Sequence, residues 1–556
     1  MGIARINRRL QEKMMRPGKY LLLIVPAVAL IMMKKLPAQT ASAQRPNILC
    51  VVAEDISPYL GCYGDKYAST PNLDRLAGQG IRFTRMYTTI GVCAPSRASL
   101  ITGLFPTSFG ANYMRTSNTK PLTEGLVAPY EAVPPEGVKC YTEFLREAGY
   151  YCTNNAKTDY QFKPLVTAWD ENGREAHWKH RPDSMPFFAI FNIELTHESQ
   201  VWKRANEPLV IDPAIIVPPP YHPNNEITRR DWAIVYSNIH AMDMRVQELI
   251  DEVKNAGLLD NTIIIWYSDN GGPMPRQKRE LYESGSLVPF MIRFPDGKFA
   301  GTVSDRMTMF ADIPATILSL AGIKPPAYMH GIPFLGKYNG AERKFVYGAR
   351  DRLDEIVERQ TCIRDRRYRF VKNYLPEKPG YMEIISRLEM PTMKNMVELS
   401  KQGALNANAQ RWFDKPRRDE EFYDVDKDPH EMNNLIDDPA YRKEIARLRN
   451  ELAQLDKKYN PWLGLSEAEL REKLWPGGEQ PVVKPPEFKR LPDGLVQISS
   501  STGGASVGYQ INGKGLRTDH WFIYRGPFRI RKGDVVTALA TRIGYKQSVA
   551  TTFINH

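Results

Sequence analysis

Two hydrophobic rhythms alternate along the first 340 residues. Short, unbroken apolar runs, Asn47–Ala53 (NILCVVA), Phe187–Ile193 and Thr262–Ser268, read as buried parallel strands. Ile81–Tyr87, Tyr150–Thr153 and Val288–Phe294 add further strands. Between them lie segments with helical spacing. Thr70–Gly80 begins with a Thr cap, has Pro in its first turn and ends in Gly, as a short helix should. Ser96–Thr102 opens a second helix, and Tyr141–Ala148 is a third, stopped by Gly149. Asp231–Ala256 places Ile234, Val235, Ile239, Met242, Val246, Leu249 and Val253 on one face before Gly257, which predicts a long amphipathic helix. Asp312–Ala321 is a helix ended by Gly322. Alternating buried strands and helices predict an α/β fold, a doubly wound, mostly parallel sheet, over residues 45–343.

From about Lys344 the pattern changes. Short strands at Lys344–Gly348, Thr361–Arg364 and Tyr368–Asn373, with a helix at Tyr441–Leu455, predict a smaller α+β subdomain over residues 344–460. Residues 461–488, which include the Pro-rich Pro481–Pro486, read as a linker. Residues 489–556 are short β runs separated by Gly turns, which predict a small terminal β-sandwich.

Residues 1–43 have the order of an export signal. Basic residues precede the apolar run Tyr20–Met33, and Ala41-Ser42-Ala43 offers a small-residue cleavage site. The run is shorter than the roughly 20 residues a spanning helix needs. A periplasmic or secreted location is expected. Lys34-Lys35 directly after the run leaves a membrane anchor as the alternative, if the signal stays uncleaved. The formal charge is +12, of which residues 1–43 hold eight basic side chains and one acid. The remainder carries about +5, too little to argue for nucleic acid and compatible with a polyanionic substrate. Six cysteines without a CxxC pair do not make a disulfide scaffold. Cys140 and Cys152 are near enough in sequence to pair; Cys50 and Cys152 read as small core residues on strands.

Ligands of doubly wound sheets bind beyond the carboxyl ends of the strands. Glu54-Asp55, Glu194–His197 and Asp269-Asn270 each follow a buried strand directly, so they are expected together. Glu54, Asp55, Asp269 and Asn270 form an oxygen-donor set suited to Ca²⁺ or Mg²⁺. Lys157, His197 and Lys278 add cationic or proton-donating groups. Cys93 opens a helix, where the dipole favours a thiolate, and Arg97 lies one turn on. On these grounds Cys93 is a nucleophile, a metal ligand or a structural thiol. A hard cation ringed by Lys, Arg and His is what holding a tetrahedral oxyanion requires.

Five separated segments, in order, carry a resemblance. They are Arg45-Pro-Asn-Ile-Leu with Glu54-Asp55; Cys93-Ala-Pro-Ser-Arg97 followed by Ala98-Ser-Leu-Ile-Thr-Gly103; Ser268-Asp-Asn-Gly-Gly272; Lys278-x-x-x-Tyr282-Glu-Ser-Gly285; and Val288-Pro289. Together they resemble the formylglycine-dependent sulfatases of the alkaline phosphatase superfamily, over about residues 45–460. Ala53–Pro58 with Asn154–Tyr160 looks like the bacterial branch grouped with heparan N-sulfatases.

The resemblance implies a sulfatase that hydrolyses a sulfate ester or N-sulfate on a sulfated, heparan-like saccharide. Cys93 would be oxidised to Cα-formylglycine by a separate maturation enzyme, and Arg97 would orient its hydrate. Glu54, Asp55, Asp269 and Asn270, with the modified Cys93, would bind the cation. Lys157 and Lys278 would contact sulfate, and His197 would lie near the leaving oxygen and protonate it. Two positions depart from the family pattern. Glu54 stands where Asp is usual. Asp159 stands two residues after Lys157, where the family has His, and is expected to accept the proton that His would. Two rival readings are a phosphoryl-transfer relative and a catalytically impaired glycan-binding protein.

Other polar groups have weaker claims. Asp74, Arg75 and Asp243 read as structural, and the remaining histidines show no ligand spacing. The charged run Arg350–Glu355 is either a salt-bridge cluster or a substrate clamp through Arg350, Arg352 and Asp354. Residues 503–548 resemble the small β-sandwich that ends chitobiase-type glycoside hydrolases.

Overall fold

The computed structural model describes residues 45–116 and 127–556; the signal reading of residues 1–43 lies outside them. No helix among the described residues is long and apolar enough to cross a membrane.

The main sheet contains β1 (Asn47–Ala53), β2 (Ile81–Tyr87), β3 (Tyr151–Asn155), β4 (Glu171–Gly173), β5 (Phe187–Ile193), β6 (Thr262–Ser268), β7 (Leu287–Arg293), β8 (Thr302–Ser304) and β9 (Thr308–Met309). The order is β4-β3-β5-β1-β6-β7-β2-β8, with β9 also pairing β2. β3, β4, β5, β1 and β6 run parallel. β7 is antiparallel to both neighbours, β6 and β2. All seven residues of β1 are buried, and their alternation divides them between two cores. Ile48, Cys50 and Val52 pack in one layer with Ala98, Leu145 and Ile317. Leu49, Val51 and Ala53 pack in the other with Leu73, Trp232 and Val246. This two-sided burial is why these strands read as unbroken apolar runs.

The long helix spans Glu226–Asn255, starting five residues earlier than its apolar face suggests. Asn225 accepts from the Thr228 amide and supplies the cap, and the first turn exposes Ile227. Asp243 accepts from the amides of Asn72 and Leu73, tying this helix to the start of helix Pro71–Gly78. Asp243 is structural, as expected.

The second sheet is antiparallel, in the order β10 (Val346–Arg350), β11 (Gln360–Arg364), β12 (Tyr368–Asn373) and β13 (Glu420–Asp424), and packs with helix Arg442–Tyr459. Sequence periodicity missed β13 and the helix Pro391–Lys401. The segment read as a linker is not free. Helix Glu467–Leu474 lies within it, and Leu470 and Leu474 are buried with Tyr113 and Tyr130.

Beyond it, β14 (Glu487–Arg490) pairs with β15 (Val496–Ser499), and β16 (Ser506–Ile511), β17 (Phe522–Ile523), β18 (Val535–Thr541) and β19 (Thr551–Ile554) form a second antiparallel sheet. Val483, from the Pro-rich segment, shares their core with Val496, Ile498, Val507 and Val536. His520 of this unit bonds to Asp170 at 2.7 Å, and Asp170 also pairs with buried Arg146. The terminal unit is thereby fixed to the main sheet. All six cysteines are free thiols, Cys140 and Cys152 included.

Candidate active site

β5, β1 and β6 are adjacent and parallel, so the residues after their carboxyl ends converge. Asp55, in a left-handed conformation (φ 52°), receives the chain as β1 ends. Its amide donates to Asp269 Oδ1 at 3.2 Å. Its Oδ1 accepts from Asn270 Nδ2 at 2.8 Å, and its Oδ2 accepts from Lys278 Nζ at 2.8 Å and from the Glu198 amide at 2.7 Å. Three glycines bring the contributing loops this close. A Cβ on Gly271 would lie 2.6 Å from the Gly285 backbone, and one on Gly91 would lie 2.7 Å from Gly285 O.

Cys93 is the first residue of helix Cys93–Thr102 and is fully buried. Its Sγ lies 3.8 Å from Asp55 Oδ1. Burial pushes the thiol up to about 12, although Lys157 and Lys278 pull it down. The thiolate expected from the helix start is therefore not favoured: loss of hydration outweighs the dipole. Arg97, one turn on, donates from Nε to Asp269 Oδ2 at 3.0 Å and from Nη1 to Asn192 Oδ1 at 2.6 Å.

Glu54 Oε1 lies 2.7 Å from Lys157 Nζ and 3.6 Å from Arg97 Nη2. Burial pushes its carboxyl up, against the pull of Lys157 and Arg97. In Asp55, Lys278 and His197 overcome the burial cost and hold the carboxyl down. Lys278 is itself buried, 3.3 Å from Glu198 Oε1 and 3.2 Å from His197 Nε2. His197 Nδ1 faces the Ser199 amide at 3.2 Å and the Ser199 hydroxyl at 2.9 Å, while Nε2 faces the Lys278 ammonium, which can only donate to it. Burial and the Lys278 charge push His197 down to about 4, so the expected imidazolium donor is disfavoured here. Asp159 also has positive φ (54°). Its Oδ2 lies 3.6 Å from Arg115 and 4.0 Å from Lys157 and makes no hydrogen bond among the described residues.

These residues fit a hard divalent cation. One ligand atom each from Asp55, Cys93 and Asp269 lies within 4.8 Å of the others. Asn270 Oδ1 is buried without a hydrogen-bond partner among the described residues, as a carbonyl oxygen reserved for a cation would be.

A cavity of about 570 Å³ opens onto the cluster, lined by Glu54, Lys157, Asp159 and His197, with Arg115, Arg174, Glu194 and Lys203 farther out. Arg350 and Arg352 do not reach it. Arg350 is buried 2.6 Å from Glu280. Arg352 pairs with Glu467 of the helix in the supposed linker. The clamp reading of both is corrected to that of structural ion pairs. Asp354 does not line the cavity either; it lies 2.8 Å from Arg279 and 3.9 Å from Arg115, which does.

Sequence reasoning missed Glu198, which accepts two hydrogen bonds from Arg279 and lies 3.2 Å from Arg387. Its place directly after His197 was an available signal. Arg115 had none, because it comes from a loop with no motif.

The family model described as Sulfatase matches residues 46–323, and that of the N-sulphoglucosamine sulphohydrolase C-terminal region matches residues 276–419. An ulvan-active sulfatase of Formosa agariphila is 41% identical, over 91% of each chain. Human N-sulphoglucosamine sulphohydrolase is 26% identical, over 78% of this chain and 94% of its own. Among solved structures, a 2-O GAG sulfatase superposes with TM-score 0.56 at 18% identity, over 76% of this chain and 94% of that one. A protein in complex with its substrate D-glucosamine-2-N,6-O-disulfate superposes with TM-score 0.51 at 19% identity, over 75% and 99%. These two likenesses establish the fold alone. The Cys93 cluster lies inside a family match that spans the main sheet, and a relative aligns along nearly the whole chain: this protein belongs to the sulfatase family.

Proposed function

We propose that this sulfatase removes a sulfate group, as an ester or an N-sulfate, from a sulfated glycan, using Cα-formylglycine made from Cys93 by a separate maturation enzyme. The observation that carries this reading is the position of Cys93. It is buried, 3.8 Å from Asp55, and feels the charges of Lys157 and Lys278, of which Lys157 lines the open cavity together with Glu54 and His197. The names of the relatives support a saccharide substrate: ulvan, N-sulphoglucosamine and a glucosamine disulfate. The export-signal pattern of residues 1–43 supports a periplasmic or secreted location.

Hydrated formylglycine supplies two hydroxyls on one carbon, one to attack sulfur and one whose deprotonation expels sulfate. Glu54, Asp55, Asp269 and Asn270 would hold Ca²⁺ or Mg²⁺, which supplies positive charge for sulfate oxygens. Arg97, fixed by Asp269 and Asn192, faces the nucleophile. Lys157 presents its ammonium from the cavity wall, and Lys278 adds charge from behind His197. His197 lines the cavity with the Lys278 ammonium 3.2 Å from its Nε2, and the pair would stand beside the leaving oxygen. Asp159, which lines the cavity between Arg115 and Lys157, would accept the proton released as sulfate departs.

The test is sulfate release from a panel of defined O- and N-sulfated oligosaccharides, with a phosphate monoester and a phosphonate monoester alongside. Release from at least one sulfated saccharide is expected. Turnover of the phosphorus substrates alone would favour the phosphoryl-transfer alternative, and binding of glycans without turnover would favour the impaired one.

A further inference from the structure

Two cations at the cavity wall are not used by the reaction centre. Lys157 is offset by Glu54 at 2.7 Å, and Arg115 by Asp159 and Asp354. Arg174 and Lys203 line the same cavity, are exposed, and have no side-chain ion pair or hydrogen bond among the described residues. Arg174 nevertheless has a fixed backbone. It directly follows β4, the Ala156 amide donates to Gly173 O at 3.2 Å, and Asn155 Nδ2 donates to Arg174 O at 2.7 Å. Lys203 ends the short helix Gln200–Lys203, four residues after Ser199 caps the His197 ring.

The cavity does not end at the reaction centre. A second cavity of about 480 Å³ shares Ala156, Arg174, Glu194 and Gln200 with the first. Arg174 therefore stands on the common wall of two spaces, each large enough for a sugar-sized ligand. An uncompensated guanidinium there favours an anion that can accept two hydrogen bonds from its planar fork.

We infer that Arg174, assisted by Lys203, forms a second anion subsite. It binds a carboxylate or a second sulfate on the sugar adjoining the one that carries the reacting sulfate. The inference rests on the sulfatase reading above and adds a substrate class to it: saccharides with anions on neighbouring residues. Glu194, on the same wall, is placed to accept from a sugar hydroxyl.

The test compares wild type with Arg174→Ala and the Arg174→Ala/Lys203→Ala double variant. The substrates are three sulfated disaccharides, in which the neighbouring sugar carries a carboxylate, a second sulfate or no charge. Relative to the uncharged control, kcat/KM on the charged disaccharides should fall by a further ten- to hundredfold or so in the variants, the range for a charged hydrogen bond. Whichever charged arm loses more identifies the group that is read. Arg174→Lys should restore part of the loss for sulfate and less for carboxylate, whose two oxygens match the fork. Calorimetric binding of the same disaccharides without the reacting sulfate reads the subsite independently of turnover. Equal losses on charged and uncharged disaccharides, or unchanged binding, would overturn the subsite. Charge-dependent binding that the variants abolish, without turnover by wild type, would support the subsite and refute the sulfatase reading.

Discussion

Glu54 Oε1 stands 2.7 Å from Lys157 Nζ. The acid that departs from the family pattern thus holds the lysine at the cavity wall, and it also faces Arg97. Its carboxylate also has an oxygen within 4.8 Å of ligand atoms of Cys93 and His197. Glu54→Gln should lower kcat/KM more than about tenfold, because a buried charge-assisted contact is lost. Glu54→Asp keeps the charge and should lose less. Equal losses in steady-state assays would show that carboxylate charge is not what matters there.

Asp269 binds Arg97 through one oxygen and the Asp55 amide through the other. Asp269→Ala should reduce bound divalent metal, measured by elemental analysis, by at least the roughly 10–100-fold affinity loss seen when metal-site partners are removed. Activity should fall with it. Wild type stripped with chelator should recover on adding Ca²⁺ or Mg²⁺. Full activity in metal-free protein would refute the site.

Asp159 accepts but cannot donate while ionised, so the role proposed for it belongs to the second half of turnover. Asp159→Asn should slow sulfate release more than release of the first product. Rapid-mixing assays should then show a burst of that product. A raised KM with no burst would assign Asp159 to holding Arg115 or a substrate hydroxyl.

Arg350 and Glu280 form a buried pair at 2.6 Å. Arg350→Ala leaves Glu280 without that partner and should destabilise the fold by about 3–5 kcal/mol. KM of the protein that remains folded should not change, as denaturant titration and kinetics on the same sample would show. A raised KM without lost stability would restore the clamp reading.

His222 is buried between the Trp232 indole and Pro275 O, and burial pushes it down to about 3. Its folded value lies below its unfolded one, so the unfolded chain binds the extra proton first. The stability is present above about pH 6.5 and is lost as pH falls towards 3, at up to about 1.4 kcal/mol per pH unit. His222→Gln should flatten the dependence of the unfolding midpoint between those limits. An unchanged slope would remove His222 from the account.

The parallel strands were legible because both of their faces are buried, which makes apolar runs of Asn47–Ala53 and Thr262–Ser268. The convergence of Glu54, Asp55, His197, Asp269 and Asn270 followed from their places after those strands. The Arg350 and Arg352 pairs were not legible, because their partners, Glu280 and Glu467, lie 70 and 115 residues away. Periodicity reports faces, not which charge meets which. The early start of the long helix was hidden for a related reason: its first turn carries exposed Ile227 and is set by the Asn225 side chain. The thiolate at Cys93 was misjudged because a helix start is visible in sequence and the depth of burial is not.

The most direct measurement of the central claim is a peptide mass spectrum spanning Cys93, taken on active protein from a host that has the maturation enzyme. The account predicts an aldehyde in place of the thiol, in proportion to specific activity across preparations. An unmodified Cys93 thiol in fully active protein would contradict it.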